Sequence, residues 1–228
     1  MTSDPTRDPA GDPTGDPLLD PSTRPAPPPP AVLPPALRDT QALLRQVRHR
    51  WGGRSDLWVF GYASLIWRPE FVFAEHRPAL VRGWHRSFQM RSRVNRGTTE
   101  QPGLVYALVS GGCCRGMVYR IPQRLADEEL ERLWAREMPT GVYDPRWLRC
   151  STADGEVHAL AFTLSRRSPN FTGRLADAEL LHILRHAHGR YGSTLDYLVR
   201  TAEVLRAHRM CDRESERLIA LARRQGLV

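Results

Sequence analysis

A carboxylate stands where an apolar residue belongs. In the helical pattern at 126–138 the apolar stripe runs Ala126, Leu130, Leu133 and Trp134, and the next position of that stripe is Glu137. Side chains three and four apart share a helix face, so Glu137 points with Leu130 and Leu133 toward the core. A carboxylate drawn out of water holds a proton more tightly, which makes it a better base. Asp127, Glu128, Glu129 and Glu131 fall in the first part of the same helix, where most of them can face water and favour the helix dipole. An inward Glu137 also suits a buried ion pair with Arg136 or a nearby arginine, and the stripe alone leaves both roles open.

The second feature is the run Trp58-Val59-Phe60-Gly61-Tyr62-Ala63-Ser64-Leu65-Ile66-Trp67. An aromatic and β-branched segment reads as a buried strand, and it runs straight into small residues. Gly61, Ala63 and Ser64 leave the main chain uncovered, so a ligand can reach backbone N–H groups directly. Such a concavity suits a carboxylate. A tight strand-to-loop turn with no ligand fits the same residues.

The elements that must carry these groups are legible in outline. Leu37, Leu43, Leu44 and Val47 fall at near-helical spacing over about 35–50, and Gly52-Gly53 ends that helix. Strands are expected at 57–62, 79–81, 87–90, 104–109, 116–121, 147–150 and 157–164, several bounded by Gly or Pro. The connection 95–103 reads as a loop. Helices are expected at 126–138, 177–188, 194–208 and 212–224. Strands come first and helices later, which argues for an α+β fold against a doubly wound sheet. Short strands of this kind often close into a small barrel.

Residues 1–35 hold twelve of the nineteen prolines, with Asp-Pro recurring every four residues from Asp4-Pro5 to Asp20-Pro21. Such a segment lacks backbone donors and apolar side chains to bury, so a disordered tail at 1–35 and one folded domain at 36–228 are expected. The net charge is +8, yet all 33 basic residues are arginine. An arginine-rich composition without clusters favours a generally basic surface over a nucleic-acid face. Cys113, Cys114, Cys150 and Cys211 show no C-x-x-C spacing, which argues against a disulfide framework or zinc site. Cys113-Cys114 reads as a buried or half-buried thiol pair. His182 and His186 share a helix face without a third ligand in motif relation, so no metal is expected. No signal sequence or membrane-spanning apolar run is evident, and a soluble, cytoplasmic protein without a membrane partner is expected.

The run Val59-Phe60-Gly61-Tyr62-Ala63-Ser64-Leu65-Ile66-Trp67 resembles the opening strand and loop, V-F-G-Y-G-S-L-I-W, of the ChaC proteins, glutathione-specific γ-glutamylcyclotransferases. The likeness continues through Arg82-Gly83-Trp84, Phe88, Arg96-Gly97-Thr98, Pro102-Gly103, Cys113, Gly116, Tyr119-Arg120 and Arg136-Glu137. It covers most of residues 57–200. It departs at Ala63, where the family usually has glycine, and in the longer stretch Pro139-Thr140-Gly141-Val142-Tyr143, which makes Tyr143 a weaker pocket candidate. A negative φ at residue 63 would accommodate the extra methyl; a positive one would cost about 1 kcal/mol.

The resemblance implies a small mixed β-barrel of the γ-glutamylcyclotransferase type with flanking C-terminal helices. It implies that Val59, Phe60, Gly61, Tyr62, Ala63 and Ser64 bind the γ-glutamyl group through their backbone, and that Glu137 is the proton acceptor. The reaction it implies is cyclisation of the γ-glutamyl group of glutathione to 5-oxoproline with release of cysteinylglycine, without cofactor or metal. Arg68, Arg86, Arg93 and Arg96 are candidates for the glycine carboxylate. Rival readings are a cyclotransferase for other γ-glutamyl amines, a non-enzymatic regulator of cation transport, and a nucleic-acid binder suggested by charge alone.

Overall fold

The computed structural model describes Leu33 and residues 35–228. Of the expected tail at 1–35, all but Leu33 and Pro35 lies outside the described residues. Helix α1 (Thr40–Trp51) is capped by the Asp39 carboxylate, which accepts from the N–H of Ala42, and it stops where Gly52 turns left-handed at φ 79°. It leads into β1 (Leu57–Gly61), a short helix α2 (Ser64–Trp67), and two long strands, β2 (Glu75–Ser92) and β3 (Gly103–Ile121). Helix α3 (Gln123–Glu137), β4 (Asp144–Thr152) and β5 (Gly155–Thr163) follow. The C-terminal part comprises α4 (Asp177–His186), the two-residue strands β6 (His188–Gly189) and β7 (Gly192–Ser193), α5 (Thr194–Ala207) and α6 (Arg213–Arg224).

Strands β1, β3, β2, β4 and β5 close into a barrel in that order. β1 is antiparallel to β3, with Phe60 opposite Val118, and meets β5 in parallel at Val59 and Leu160. Leu57, Val59 and Phe60 are fully buried. That explains the unbroken apolar run of β1, since a strand covered on both faces cannot alternate with polar residues. The expected strands 79–81 and 87–90 are parts of the single strand β2, and 104–109 and 116–121 are parts of β3. The hairpin register slips between Arg82 and Trp84 and again between Ser87 and Met90. Gly83, at φ 80°, sits at the first slip. A bulge interrupts the two-residue alternation without ending the ladder, so each long strand looks like two short ones in the sequence.

Two apolar clusters cover opposite faces of this sheet. Phe60, Tyr62, Phe88 and Tyr106 pack with Leu184, Leu198 and Leu218 from the C-terminal helices. Val59, Met117 and Tyr119 pack with Leu44 and Val47 of α1 and with Leu130, Leu133 and Trp134 of α3. The arrangement is α+β, with helices on both sides of a mixed barrel. Among the described residues no helix is long and apolar enough to cross a membrane.

Candidate active site

The end of β1, α2, the end of α3 and the end of β2 converge on a cavity of about 590 Å³. Its wall includes Tyr62, Ala63, Ser64, Glu137, Tyr143 and Tyr197. Three of the expected binding residues, Tyr62, Ala63 and Ser64, therefore stand on the same cavity as Glu137. Val59, Phe60 and Gly61 do not line it. The side chains of Val59 and Phe60 are fully buried in the two apolar clusters. Gly61 serves a close approach: a Cβ there would lie 2.9 Å from the Leu65 Cβ and 3.1 Å from the Tyr119 ring. The chain thus folds back over Gly61 to begin α2, and the Tyr119 hydroxyl fastens that return by donating to the Leu65 carbonyl at 2.9 Å.

Ala63 has φ −147° and ψ −111°. Its φ is negative, outside the left-handed region that favours glycine, so the methyl group is accommodated. The turn closes on itself, with the Ile66 N–H donating to the Ala63 carbonyl at 2.9 Å and the Arg68 N–H to the Ser64 carbonyl at 2.7 Å.

Glu137 closes α3 on the cavity wall, with a side chain 15% exposed. Burial raises its carboxyl above the usual range; the Arg136 guanidinium opposes this and the charge of Glu70 reinforces it. Arg136 Nε lies 3.0 Å from Glu137 Oε1. The same guanidinium donates to Ser64 Oγ at 3.2 Å, to the Pro69 carbonyl at 3.2 Å and to the Arg68 carbonyl, and it pairs with Glu70 at 3.0 Å. The ion pair and the inward carboxylate, which the helix stripe left as alternatives, coexist. Arg136 is a bracket that ties the carboxylate to the turn after β1.

Glu70 is held by Arg68 as well, whose Nε donates to it at 2.6 Å. Its backbone is left-handed, at φ 57°, a conformation a non-glycine residue keeps only when its surroundings impose it. Arg68 and Arg136 both pair with its carboxylate in this conformation. The tyrosines give the lining its ring surface, and the protein backbone takes up the hydroxyls of Tyr62 and Tyr197. The Tyr62 hydroxyl donates to the Phe162 carbonyl at 3.0 Å, and Tyr143 packs on Phe162 with ring centres 6.2 Å apart. Burial pushes the Tyr62 and Tyr143 phenols up, and the neighbouring Glu137 charge adds to this in both.

The four candidate arginines separate. Arg68, Arg93 and Arg96 line the cavity, whereas Arg86 does not. Arg86 is buried and spent on structure: it pairs with Asp212 at 2.7 Å and donates to the Arg115 carbonyl at 2.6 Å and to the Tyr62 carbonyl. Arg96 lies against the Tyr197 ring at 5.3 Å and donates to the Tyr191 carbonyl. Its backbone is locked by close glycine contacts: a Cβ on Gly103 would fall 2.0 Å from the Arg96 carbonyl oxygen, and one on Gly189 would fall 2.6 Å from its nitrogen. The Arg96-Gly97 and Pro102-Gly103 signals in the sequence mark this crossing of chains. Tyr191, Tyr197, Glu70 and Arg136 also belong to the wall. Glu70 and the tyrosines come from separate elements and carry no local pattern. Elsewhere, Cys113 is exposed and Cys114 buried, because successive residues of a strand face opposite ways; the expected thiol pair is split.

A family model described as ChaC-like protein matches residues 57–225. The chain belongs to the ChaC family. The ChaC match spans the barrel, the turn after β1, Glu137 and the C-terminal helices, and it leaves α1 and the segment before it outside. Among ChaC relatives, the chain is 38% identical over 143 residues to the glutathione-specific γ-glutamylcyclotransferase of Escherichia coli (strain K12), covering 62% of each chain. It is 30% identical over 184 residues to glutathione-specific γ-glutamylcyclotransferase 1 of Mus musculus, covering 78% of this chain and 79% of the relative. The crystal structure of a yeast γ-glutamyl cyclotransferase specific to glutathione superposes with a TM-score of 0.68 at 21% identity, over 75% of this chain and 97% of that one. At that identity the superposition establishes the barrel fold.

Proposed function

We propose that this protein is a glutathione-specific γ-glutamylcyclotransferase, which converts the γ-glutamyl group of glutathione to 5-oxoproline and releases cysteinylglycine. The observation that carries the reading is the Glu137 carboxyl, raised in pKa and bracketed by Arg136 to the Ser64 turn on one cavity wall. The names of the similar proteins from Escherichia coli and mouse support the choice of substrate.

The chemistry follows from these groups. The substrate's α-amine arrives as an ammonium. Glu137 takes a proton from it, and the freed nitrogen attacks the γ-carbonyl carbon to close a five-membered ring. Negative charge gathers on the carbonyl oxygen, where backbone N–H groups of the Ala63–Ser64 turn would receive it. Glu137 returns that proton to the cysteine nitrogen as the old C–N bond breaks, and the second proton shed by the ring nitrogen ends on the released amine, which leaves as an ammonium beside a neutral lactam. Nucleophile and electrophile belong to one molecule, so holding them folded replaces a bimolecular encounter with an effective molarity on the order of 10⁵ M or more. The tyrosine lining keeps water from the carboxylate, and the cavity arginines favour a substrate that carries two carboxylates. Arg136 neutralises Glu137 through one oxygen and thereby keeps the buried carboxylate from staying permanently protonated.

We assign the protein to the cytoplasm. All four cysteines are free and two of them are exposed, as suits a reducing compartment. The deciding experiment is incubation with glutathione and quantitation of 5-oxoproline and cysteinylglycine. The Glu137→Gln protein is expected to bind glutathione by calorimetry with kcat lowered at least about 100-fold. Turnover at the parent rate would remove Glu137 from the mechanism. Faster turnover of γ-glutamylalanine than of glutathione would reassign the enzyme to other γ-glutamyl amines.

A further inference from the structure

The mouth of the cavity is built in part by residues that the family match does not include. Leu33, Pro35 and Leu37 line the same cavity as Glu137, yet the ChaC match begins at residue 57. The described large apolar side chains that are exposed are Leu33 at 41%, Leu37 at 52% and Val228. Two of these three therefore sit at this one opening. Tyr62 and Tyr143, by contrast, are 7% and 9% exposed and form the floor beside Glu137.

The segment is fastened in place. The Leu37 N–H donates to the Thr140 carbonyl at 2.9 Å. Arg38 then grips the loop before β4 at three points: Nε donates to the Gly141 carbonyl at 3.0 Å, one terminal nitrogen meets the Asp144 carboxylate at 2.7 Å, and the other donates to the Tyr143 carbonyl. Gly141, at φ 64°, admits this approach, since a Cβ there would stand 3.3 Å from the Arg38 nitrogen. The Trp134 indole donates to the Thr40 carbonyl at 3.1 Å and anchors the start of α1 to the helix that ends in Glu137. The stretch at 139–144 is the surface to which this segment binds.

We infer that Leu33 and residues 35–38 form a specificity wall for the part of the substrate beyond the scissile amide, favouring a leaving group of dipeptide length with an apolar or thiol side chain over a single amino acid or a simple amine. This rests on the proposed cyclotransferase activity. Ring closure takes place on the floor, at Glu137, so the departing amine points toward the mouth. A dipeptide extends up to about 7 Å beyond the scissile bond, about twice the reach of a single residue, so it offers the wall more to contact. The Leu33 and Leu37 side chains are exposed to water in the free protein, and contact with the cysteinyl portion of glutathione would cover apolar surface on both partners. Arg38 acts as a positioning residue: it holds the wall against the backbone of Tyr143, whose ring borders the reacting end.

The test uses the full chain with Leu33→Ser plus Leu37→Ser, and separately Arg38→Ala, assayed on glutathione and on γ-glutamylalanine. The double variant is expected to raise KM for glutathione by about tenfold, with kcat within twofold of the parent and both constants for γ-glutamylalanine unchanged, and Arg38→Ala is expected to raise KM for glutathione more than KM for γ-glutamylalanine. Leu33 and Leu37 are exposed, so the double variant is expected to melt at the parent temperature. Unchanged KM for glutathione, or equal losses on both substrates, overturns the wall while leaving the cyclotransferase reading intact. Absence of 5-oxoproline from the parent protein overturns both.

Discussion

Glu137 is poised by burial and by two charged neighbours acting in opposite directions, which makes its titration a property of the cluster. Burial and the negative charge of Glu70 raise its pKa, and Arg136 lowers it. A raised carboxyl remains protonated to higher pH, so the acid limb of kcat/KM should lie above the ordinary glutamate range. Removing the Glu70 charge acts twice in one direction. It deletes a repulsion that favoured the protonated form, and it frees Arg136 to attend more closely to Glu137. The Glu70→Gln protein is therefore expected to hold activity to lower pH, with the acid limb moved down relative to the parent. A limb that stays in place or moves up, in profiles measured with glutathione, would mean that Glu70 and Glu137 do not sense each other. This cluster was only half legible in the sequence. Glu137 announces itself because a charge in an apolar stripe is a local anomaly. Glu70 does not, because its effect depends on two arginines brought to it by the fold, and its left-handed backbone leaves no trace in residue types.

At the scale of elements, the site depends on how abruptly the chain reverses between β1 and α2. Gly61 contributes no surface to the cavity; it lets Leu65 and Tyr119 come within van der Waals contact of the main chain. A methyl group at this position must displace the start of α2, and with it Ala63 and Ser64. Overpacking of a buried site of this kind costs about 1–3 kcal/mol. The Gly61→Ala protein is expected to lose that much stability in urea denaturation and to bind glutathione more weakly. Gly83→Ala is the useful contrast. It meets nothing within 4 Å but sits at φ 80°, so its cost is the backbone strain of about 1 kcal/mol, with the site unaffected. Equal effects of the two on binding would show that the β1–α2 reversal does not set the pocket. The elements themselves were readable where one rule governed them. The Gly52 stop, the apolar β1 and the helix stripe of α3 each follow from local pattern. The hairpin of β2 and β3 was not readable as two strands, because bulges at Gly83 and near Ser87 break the alternation while long-range pairing carries the ladder through.

The whole molecule is held together by a contact that reaches from barrel to C-terminal helices, and it bears on the site from behind. Arg86 of β2 is 3% exposed at its side chain and pairs with Asp212, which is 14% exposed. Asp212 in turn caps α6, accepting from the Ser215 N–H at 2.8 Å and from its hydroxyl at 2.7 Å. That hydroxyl is 2.6 Å from the Tyr106 hydroxyl of β3. The remaining donors of Arg86 hold the carbonyls of Tyr62 and Arg115. Tyr62 is the first residue of the turn that enters the cavity, so the network links α6, the barrel and the substrate turn. Asp212→Ala removes a helix cap and leaves a guanidinium buried without its counter-charge. Loss of one partner of a buried pair costs about 3–5 kcal/mol, and the lost cap adds about 1 kcal/mol. Arg86→Met removes the uncompensated charge together with the pair and keeps much of the volume. The double variant Arg86→Met plus Asp212→Ala is therefore expected to be more stable than Asp212→Ala alone, in denaturant titrations of both. Its glutathione KM should nonetheless rise above the parent's, because Arg86 then no longer holds the Tyr62 carbonyl. If stability recovers and KM matches the parent's, the network supports the fold without aiming the turn. If stability recovers and KM does not, Arg86 positions the turn that Glu137 works against.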